Sequence, residues 1–255
     1  MIDSHCHLTD PRLHEQLDDV LARAASAGVS RIISIGTSIE DDIQTIRVCQ
    51  GRDNLRCSIG IHPNYCQHAE LSDIEKLREL QGDPSAVAIG EIGLDYFHNF
   101  ADRLLQRKFF EAQLALAQEL NRPIVIHSRE AITDTLEVLK GFPSIRAVFH
   151  SFTGTLDESI RIIEAGYLLG FTGPITYKKN DALREVVKRT PQDRLLVETD
   201  APYLTPEPMR KQKTNEPAMV IHTAQVVADQ WGVSLEEVDR LTTGNVARFF
   251  GWPST

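Results

Sequence analysis

The chain has 255 residues, 42% hydrophobic and 25% charged, with a net charge of −9. That composition supports a buried core and excludes a largely disordered chain, and the length fits one large domain spanning 1–255. The acidic balance argues against holding a long nucleic-acid duplex by distributed surface charge. Cys6, Cys49, Cys57 and Cys66 form no CxxC pair, so they read as buried thiols rather than a disulfide framework. The opening MIDSHCHL lacks the basic start and apolar run of a signal peptide, and no apolar stretch is long enough to cross a bilayer. The expected location is the cytoplasm, without membrane association or a stable protein partner.

Short apolar runs alternate with amphipathic stretches along the chain. Residues 2–8 read as the first strand, and Leu13, Leu17, Val20, Leu21 and Ala24 follow at helical spacing, with Gly28 placed as a helix end. Strands are predicted at 31–37, 55–61 and 87–92, before a helical face of Leu104, Leu105, Phe109, Ala112, Leu116 and Leu120. Further strands fall at 124–127 and 147–151. Thr155 and Glu158 then form a capping-box pattern ahead of a helix over 156–165, closed by Gly166. Strands at 167–171 and 195–199 follow. Residues 201–217 hold four of the twelve prolines and read as a long loop, with helices predicted at 218–231, 235–241 and 245–250.

Eight strands, each followed by a helix, predict a (β/α)8 TIM barrel, with an open doubly wound sheet as the rival. In the barrel, residues at the carboxyl ends of the strands share one face. His5 and His7 end the first strand and project the same way, because strand side chains alternate. His62 follows the third strand, Glu91 and Asp95 the fourth, His127 ends the fifth, His150 the sixth, and Glu198 and Asp200 the eighth. Each has an ordinary alternative: a core histidine bonded to backbone, a loop cap at Asp200, a turn residue at Asp95. Glu91 lies in an apolar run, where an ionised carboxylate needs a partner or a metal. One shared metal site accounts for all of them together. His14, His68, His98 and His222 read as solvated, and Arg210, Lys211 and Lys213 as either a solvated loop or an anion contact. Tyr96, Phe97, Phe152 and Tyr203 lie near strand ends, where they would stack a base or two or pack into the core; no aromatic ladder predicts a long single-strand groove.

The segments IDSHCHL (2–8), IGIHP (59–63), IGEIGLDYF (89–97), PIVIHSREA (123–131), FHSFTG (149–154), LLVETDAPYL (195–204) and NEP (215–217) resemble the TatD family of metal-dependent deoxyribonucleases, within the amidohydrolase-like barrels. The resemblance spans nearly the whole chain. It implies that His5, His7 and Asp200 hold one divalent ion, that His127 and His150 hold a second, and that Glu91 bridges both. It places His62 and Arg129 near a substrate phosphate and gives Asp200 the general-base role. Zinc, manganese or nickel suits imidazole ligands better than magnesium does. Two such ions less the charges of Glu91 and Asp200 leave about two positive charges to face an anionic substrate, despite the acidic chain. The implied reaction is phosphodiester hydrolysis by two-metal activation of water, on single-stranded DNA and by extension RNA, as an exonuclease. A non-nucleic ester or amide is the alternative on the same scaffold. Thr214 stands where many relatives carry arginine before NEP, which bears on substrate preference rather than chemistry.

Overall fold

The computed structural model describes residues 1–252. Its strands are β1 (Ile2–Cys6), β2 (Arg31–Ile35), β3 (Leu55–Ile59), β4 (Ala86–Asp95), β5 (Ile124–Arg129), β6 (Ala147–Phe149), β7 (Leu168–Phe171) and β8 (Leu195–Val197). The helices are α1 (Pro11–His14), α2 (Leu17–Ser26), α3 (Ile39–Cys49), α4 (Asp73–Leu80), α5 (Arg103–Glu119), α6 (Ile132–Leu139), α7 (Leu156–Glu164), α8 (Asp181–Arg189), α9 (Val220–Trp231) and α10 (Leu235–Phe250). The strands make one eight-stranded sheet in chain order, β1 to β8. β1 with β2, β3 with β4, β4 with β5, β5 with β6 and β7 with β8 all pair in parallel. A doubly wound sheet reverses its order at a switch point, and this one does not. The fold is the (β/α)8 barrel.

The described residues fall into two compact units, one formed by Met1–Ser34 with the chain from Ser151 onward, the other by Ile35–His150. In the first, β1 pairs with β2 from Ile2 opposite Arg31, and β7 pairs with β8 from Leu169 opposite Leu195. The buried Asn245 of α10 donates to the carbonyls of Gln192 and Leu195, both at 2.8 Å, which ties that helix to the start of β8. The predicted helices at 235–241 and 245–250 are one helix, α10. Gly244 weakens helix propensity by about 1 kcal/mol, and burial of Val238, Val246, Phe249 and Phe250 on one face outweighs it. The capping box of Thr155 and Glu158 is present at the start of α7, and Gly28 and Gly166 take the positive φ expected after a helix.

In the second unit, all ten residues of β4 are buried, as expected of a parallel strand covered on both faces. Two buried glutamines of α5 hold the strand ends. Gln113 accepts from the Ile61 N–H at 2.7 Å and donates to the Ile61 carbonyl at 3.0 Å. Gln106 accepts from the Asp95 N–H at 2.8 Å and donates to the carbonyls of Asp95 and Ala101 at 2.9 and 3.0 Å. Each amide satisfies backbone groups that the sheet leaves unpaired. Among the described residues, no helix is long and apolar enough to cross a membrane. All four cysteines are buried free thiols.

Candidate active site

The first unit brings His5, His7 and Asp200 together. His5 is the penultimate residue of β1, and His7 lies just beyond the strand. Their Nε2 atoms stand 3.6 and 3.4 Å from the same oxygen, Oδ1 of Asp200. Backbone bonds set this approach: the Asp200 N–H donates to the His5 carbonyl at 2.9 Å, and the His7 N–H to the Ala201 carbonyl at 2.7 Å. Asp200 sits at φ 56°, a left-handed conformation that short polar residues tolerate. The buried Asn215 donates to the carbonyls of Thr199 and Tyr203 at 2.9 and 2.7 Å, and Glu216 pairs with Arg23 at 2.8 Å. The NEP motif thus staples the loop that presents Asp200.

Two more carboxyls are buried in this unit. Asp3 accepts from the Thr199 N–H at 2.9 Å and its hydroxyl at 2.6 Å. Burial pushes its carboxyl up to about 8, against the lowering effect of those bonds. Glu198 accepts from Ser4 Oγ at 3.4 Å and the Ser151 N–H at 3.0 Å. A Cβ on Gly170 would lie 2.2 Å from Glu198 Oε1, so the glycine makes the room this carboxylate occupies.

The second unit gathers three imidazoles around one oxygen. Glu91 Oε1 lies 2.8 Å from His127 Nδ1, 3.2 Å from His150 Nε2 and 3.5 Å from His62 Nε2. Strand register explains the central contact. β4 pairs with β5 so that Gly93 faces His127, which leaves the imidazole between Glu91 on one side and Asp95 on the other. A Cβ on Gly93 would come within 2.0 Å of the His127 carbonyl oxygen, and one on Gly90 within 2.6 Å of the Val125 carbonyl oxygen. The two glycines of GEIG therefore allow β4 to approach β5 closely. Burial alone would raise the Glu91 carboxyl. The imidazoles of His150 and His62, with the bonds from His127 and His150, outweigh it and hold Glu91 well below the usual range.

Asp95, one of the strand-end candidates, has a position to which the family resemblance assigned no role. Its Oδ2 lies 3.0 Å from His127 Nε2 and 2.8 Å from His98 Nδ1, and accepts from Asn64 Nδ2 at 3.3 Å. Burial would raise its carboxyl, but the bonds from His127 and His98 lower it strongly. His127 thus stands between two carboxylates. Burial would depress its imidazole, and the bonds to Asp95 and Glu91 reverse that and raise it. With Nε2–H committed to Asp95, Nδ1 is the atom that faces Glu91 and is available to an ion once it loses its proton.

His62 has a fixed tautomer. Its Nδ1 accepts the Asn64 N–H at 3.1 Å, so the neutral ring carries its proton on Nε2, the atom that faces Glu91. A ring held this way presents a donor to an anion. Arg129 is exposed at the end of β5, with its guanidinium carbon 4.0 Å from the Phe97 ring centre. The aromatic candidates divide: Phe152 is buried against Phe171, whereas Phe97 and Tyr203 are 55% and 47% exposed. His98, read from sequence as solvated, is instead bonded to Asp95 and stacked on Phe100. Both partners lie within three residues of it, so the contact is local to the loop that follows β4. Arg210 lies on the Tyr177 ring at 3.9 Å, and Lys211 and Lys213 are exposed.

The donor chemistry suits divalent ions. The ligand atoms of His5, His7 and Asp200 lie within 4.8 Å of one another, as do those of His62, Glu91 and His127. Imidazole with carboxylate is a borderline donor set of the kind zinc, manganese and nickel accept.

Comparison with known proteins agrees with this chemistry. The family model described as TatD related DNase matches residues 2–251. The chain is 36% identical to an uncharacterized metal-dependent hydrolase, YcfH of Escherichia coli K12, over 98% of this chain and 95% of that protein. It is 37% identical to a protein of Erwinia tasmaniensis named 3'-5' ssDNA/RNA exonuclease TatD, over 98% and 99% of the two chains. The solved structure of YJJV, a TatD homologue from Escherichia coli K12, superposes with a TM-score of 0.93 at 29% identity, covering 99% of this chain and 98% of the other.

Proposed function

This chain belongs to the TatD family of related DNases and is a metal-dependent hydrolase; from that premise we propose that it hydrolyses phosphodiester bonds in single-stranded nucleic acid, DNA foremost and RNA by extension, as an exonuclease. The observation that carries the reading is Glu91 Oε1 with three imidazole nitrogens within 3.5 Å of it. A buried carboxylate so surrounded is built to hold positive charge. The name of the Erwinia relative supports the choice of substrate.

In this reading His5, His7 and Asp200 would hold one divalent ion, and His127 and His150 would hold a second. Glu91 would supply a carboxylate ligand. Bound there, the ions would acidify water and offset charge on phosphate oxygens. Asp200 takes the proton of the attacking water as general base. His62 donates from Nε2 to a phosphate oxygen, and the planar fork of Arg129 orients the same group. Asp95 fixes the tautomer and tilt of His127. The buried free thiols support a reducing compartment, the cytoplasm.

The test is a substrate panel with manganese present: single-stranded DNA, duplex DNA, RNA, and an uncharged aryl ester. Preferential cleavage of the single strands from one end is the expected outcome. Turnover confined to the uncharged ester contradicts the reading and favours the alternative hydrolase.

A further inference from the structure

Beyond the metal ligands, the second unit carries a group of exposed rings on residues 96–101, the link from β4 to α5. Phe97 and Phe100 are 55% and 60% exposed, unusual for phenylalanine. His98 joins them: its ring meets Phe97 edge-on at 4.9 Å, and lies nearly parallel to Phe100 at 5.2 Å with 15° between planes. The Arg129 guanidinium covers part of Phe97 at 4.0 Å. This is an ordered surface rather than a loose apolar tip. Gln106 clamps the backbone at Asp95 and Ala101, the two ends of the segment. The Asp95 carboxylate accepts from the N–H groups of Phe97 and His98 at 3.0 and 2.9 Å. The His98 ring is fixed by the same Asp95 oxygen that faces His127.

We propose that Phe97, His98 and Phe100, with Arg129, form a stacking subsite for an unpaired nucleobase of the strand being cleaved. The inference rests on the nuclease reading above and deepens it. Four features favour a base over other occupants. The surface is only three rings wide, the size of one or two bases and too small for a protein interface. His98 and Phe100 already form a parallel stack, and a base continues it on the open side of Phe100. Arg129 places a positive charge beside the rings, suited to the phosphate that a nucleotide carries. Asp95 links the rings to His127 through two hydrogen bonds, so the subsite adjoins the candidate metal ligands. Because the rings are held before binding, stacking costs little ordering entropy. Every base has a flat π face, so the subsite predicts preference for unpaired strands with little dependence on sequence.

The experiment compares kcat/KM for a short oligothymidylate with that for a strand of equal length carrying an abasic sugar at one defined position, scanned along the strand. The wild-type enzyme should favour the intact strand by about tenfold when the abasic sugar falls at the subsite, the scale of one base–aromatic stack. In the double variant Phe97→Ala, Phe100→Ala that preference should vanish. In Phe97→Tyr, Phe100→Tyr, which keeps the rings, it should persist. The ratio is internal, so a partly unfolded variant lowers both rates without shifting it. A preference unchanged in the double alanine variant overturns the subsite, as does a wild-type enzyme that cleaves intact and abasic strands equally; either leaves the nuclease reading standing. A wild-type enzyme that cleaves no strand at all, yet turns over other esters, removes the nuclease reading and the subsite with it.

Discussion

In the unit that holds His5, His7 and Asp200, one carboxylate oxygen faces two imidazoles, and backbone hydrogen bonds do most of the positioning. In the unit that holds Glu91, one carboxylate oxygen faces three imidazoles, and a second carboxylate, Asp95, stands behind one of them. The first arrangement follows from alternation along one short strand and a stapled loop. The second depends on strand register and on side chains that orient other side chains. A site of the second kind has more parts to break, and each part should fail by a different amount.

The largest effect is expected from Glu91 itself. Glu91→Gln keeps the shape but halves the acceptor capacity toward three imidazoles. We expect kcat to fall on the order of 10²–10³-fold, the scale of losing one principal electrostatic group. Steady-state rates on single-stranded DNA check this; near-normal turnover would remove Glu91 from the mechanism.

Asp95→Asn separates the two units more sharply. It should weaken metal affinity in the Glu91 unit by about 10–100-fold, as expected when the partner of a ligating histidine is lost. Titration with a chromophoric chelator should show the other site unchanged. Equal weakening of both would make Asp95 a general structural residue.

The first unit has its own sensitive point in Gly170. An alanine Cβ there would lie 2.2 Å from Glu198 Oε1. Gly170→Ala should cost about 1–3 kcal/mol, the usual scale of overpacking a buried site. Denaturant unfolding measures it, and an unchanged midpoint would show that Glu198 has room to move.

The smallest effect concerns pH and the second unit. Asp42 is buried there, accepts from the Gly60 N–H at 3.1 Å, and burial pushes its carboxyl well above the ordinary range. Between the ordinary carboxyl value and its raised folded value, the native state keeps a proton that the unfolded state has released. Asp42 therefore favours folding less as pH rises through that window. Asp42→Asn should flatten that decline, seen as a smaller loss of Tm from acid to alkaline pH. An identical pH profile in the variant would contradict the assignment.

The contrast between the units also explains what could be read from the sequence. The strands were legible because runs such as 31–37 and 124–127 are rich in isoleucine and valine, as strands buried on both faces must be. The structure starts all eight within one residue of the positions expected from those runs. His5 and His7 were legible for a local reason, the period of two along a strand. Asp95 was legible as a strand-end acid, but its contact with His127 was not, because that rests on the pairing of Gly93 with His127, a register that no local pattern reveals. His98 escaped for a different reason: its partners Asp95 and Phe100 lie within three residues, but a histidine in a polar loop gives no local sign of such a bond. Gln106 and Gln113 look like ordinary polar positions of a helix, yet they satisfy backbone groups of another element. The expected helices at 235–241 and 245–250 run together as α10, because burial of Val238, Val246, Phe249 and Phe250 carries the helix through.

Metal content tests the two clusters most directly. Purified protein loaded with manganese or zinc and freed of excess should carry two ions per chain by plasma mass spectrometry. His7→Ala should lose the ion of the first unit and His127→Ala that of the second, each leaving one. Wild-type protein that carries no ion and still hydrolyses single-stranded DNA at full rate would contradict the account, as would variants of both clusters that retain the full metal complement.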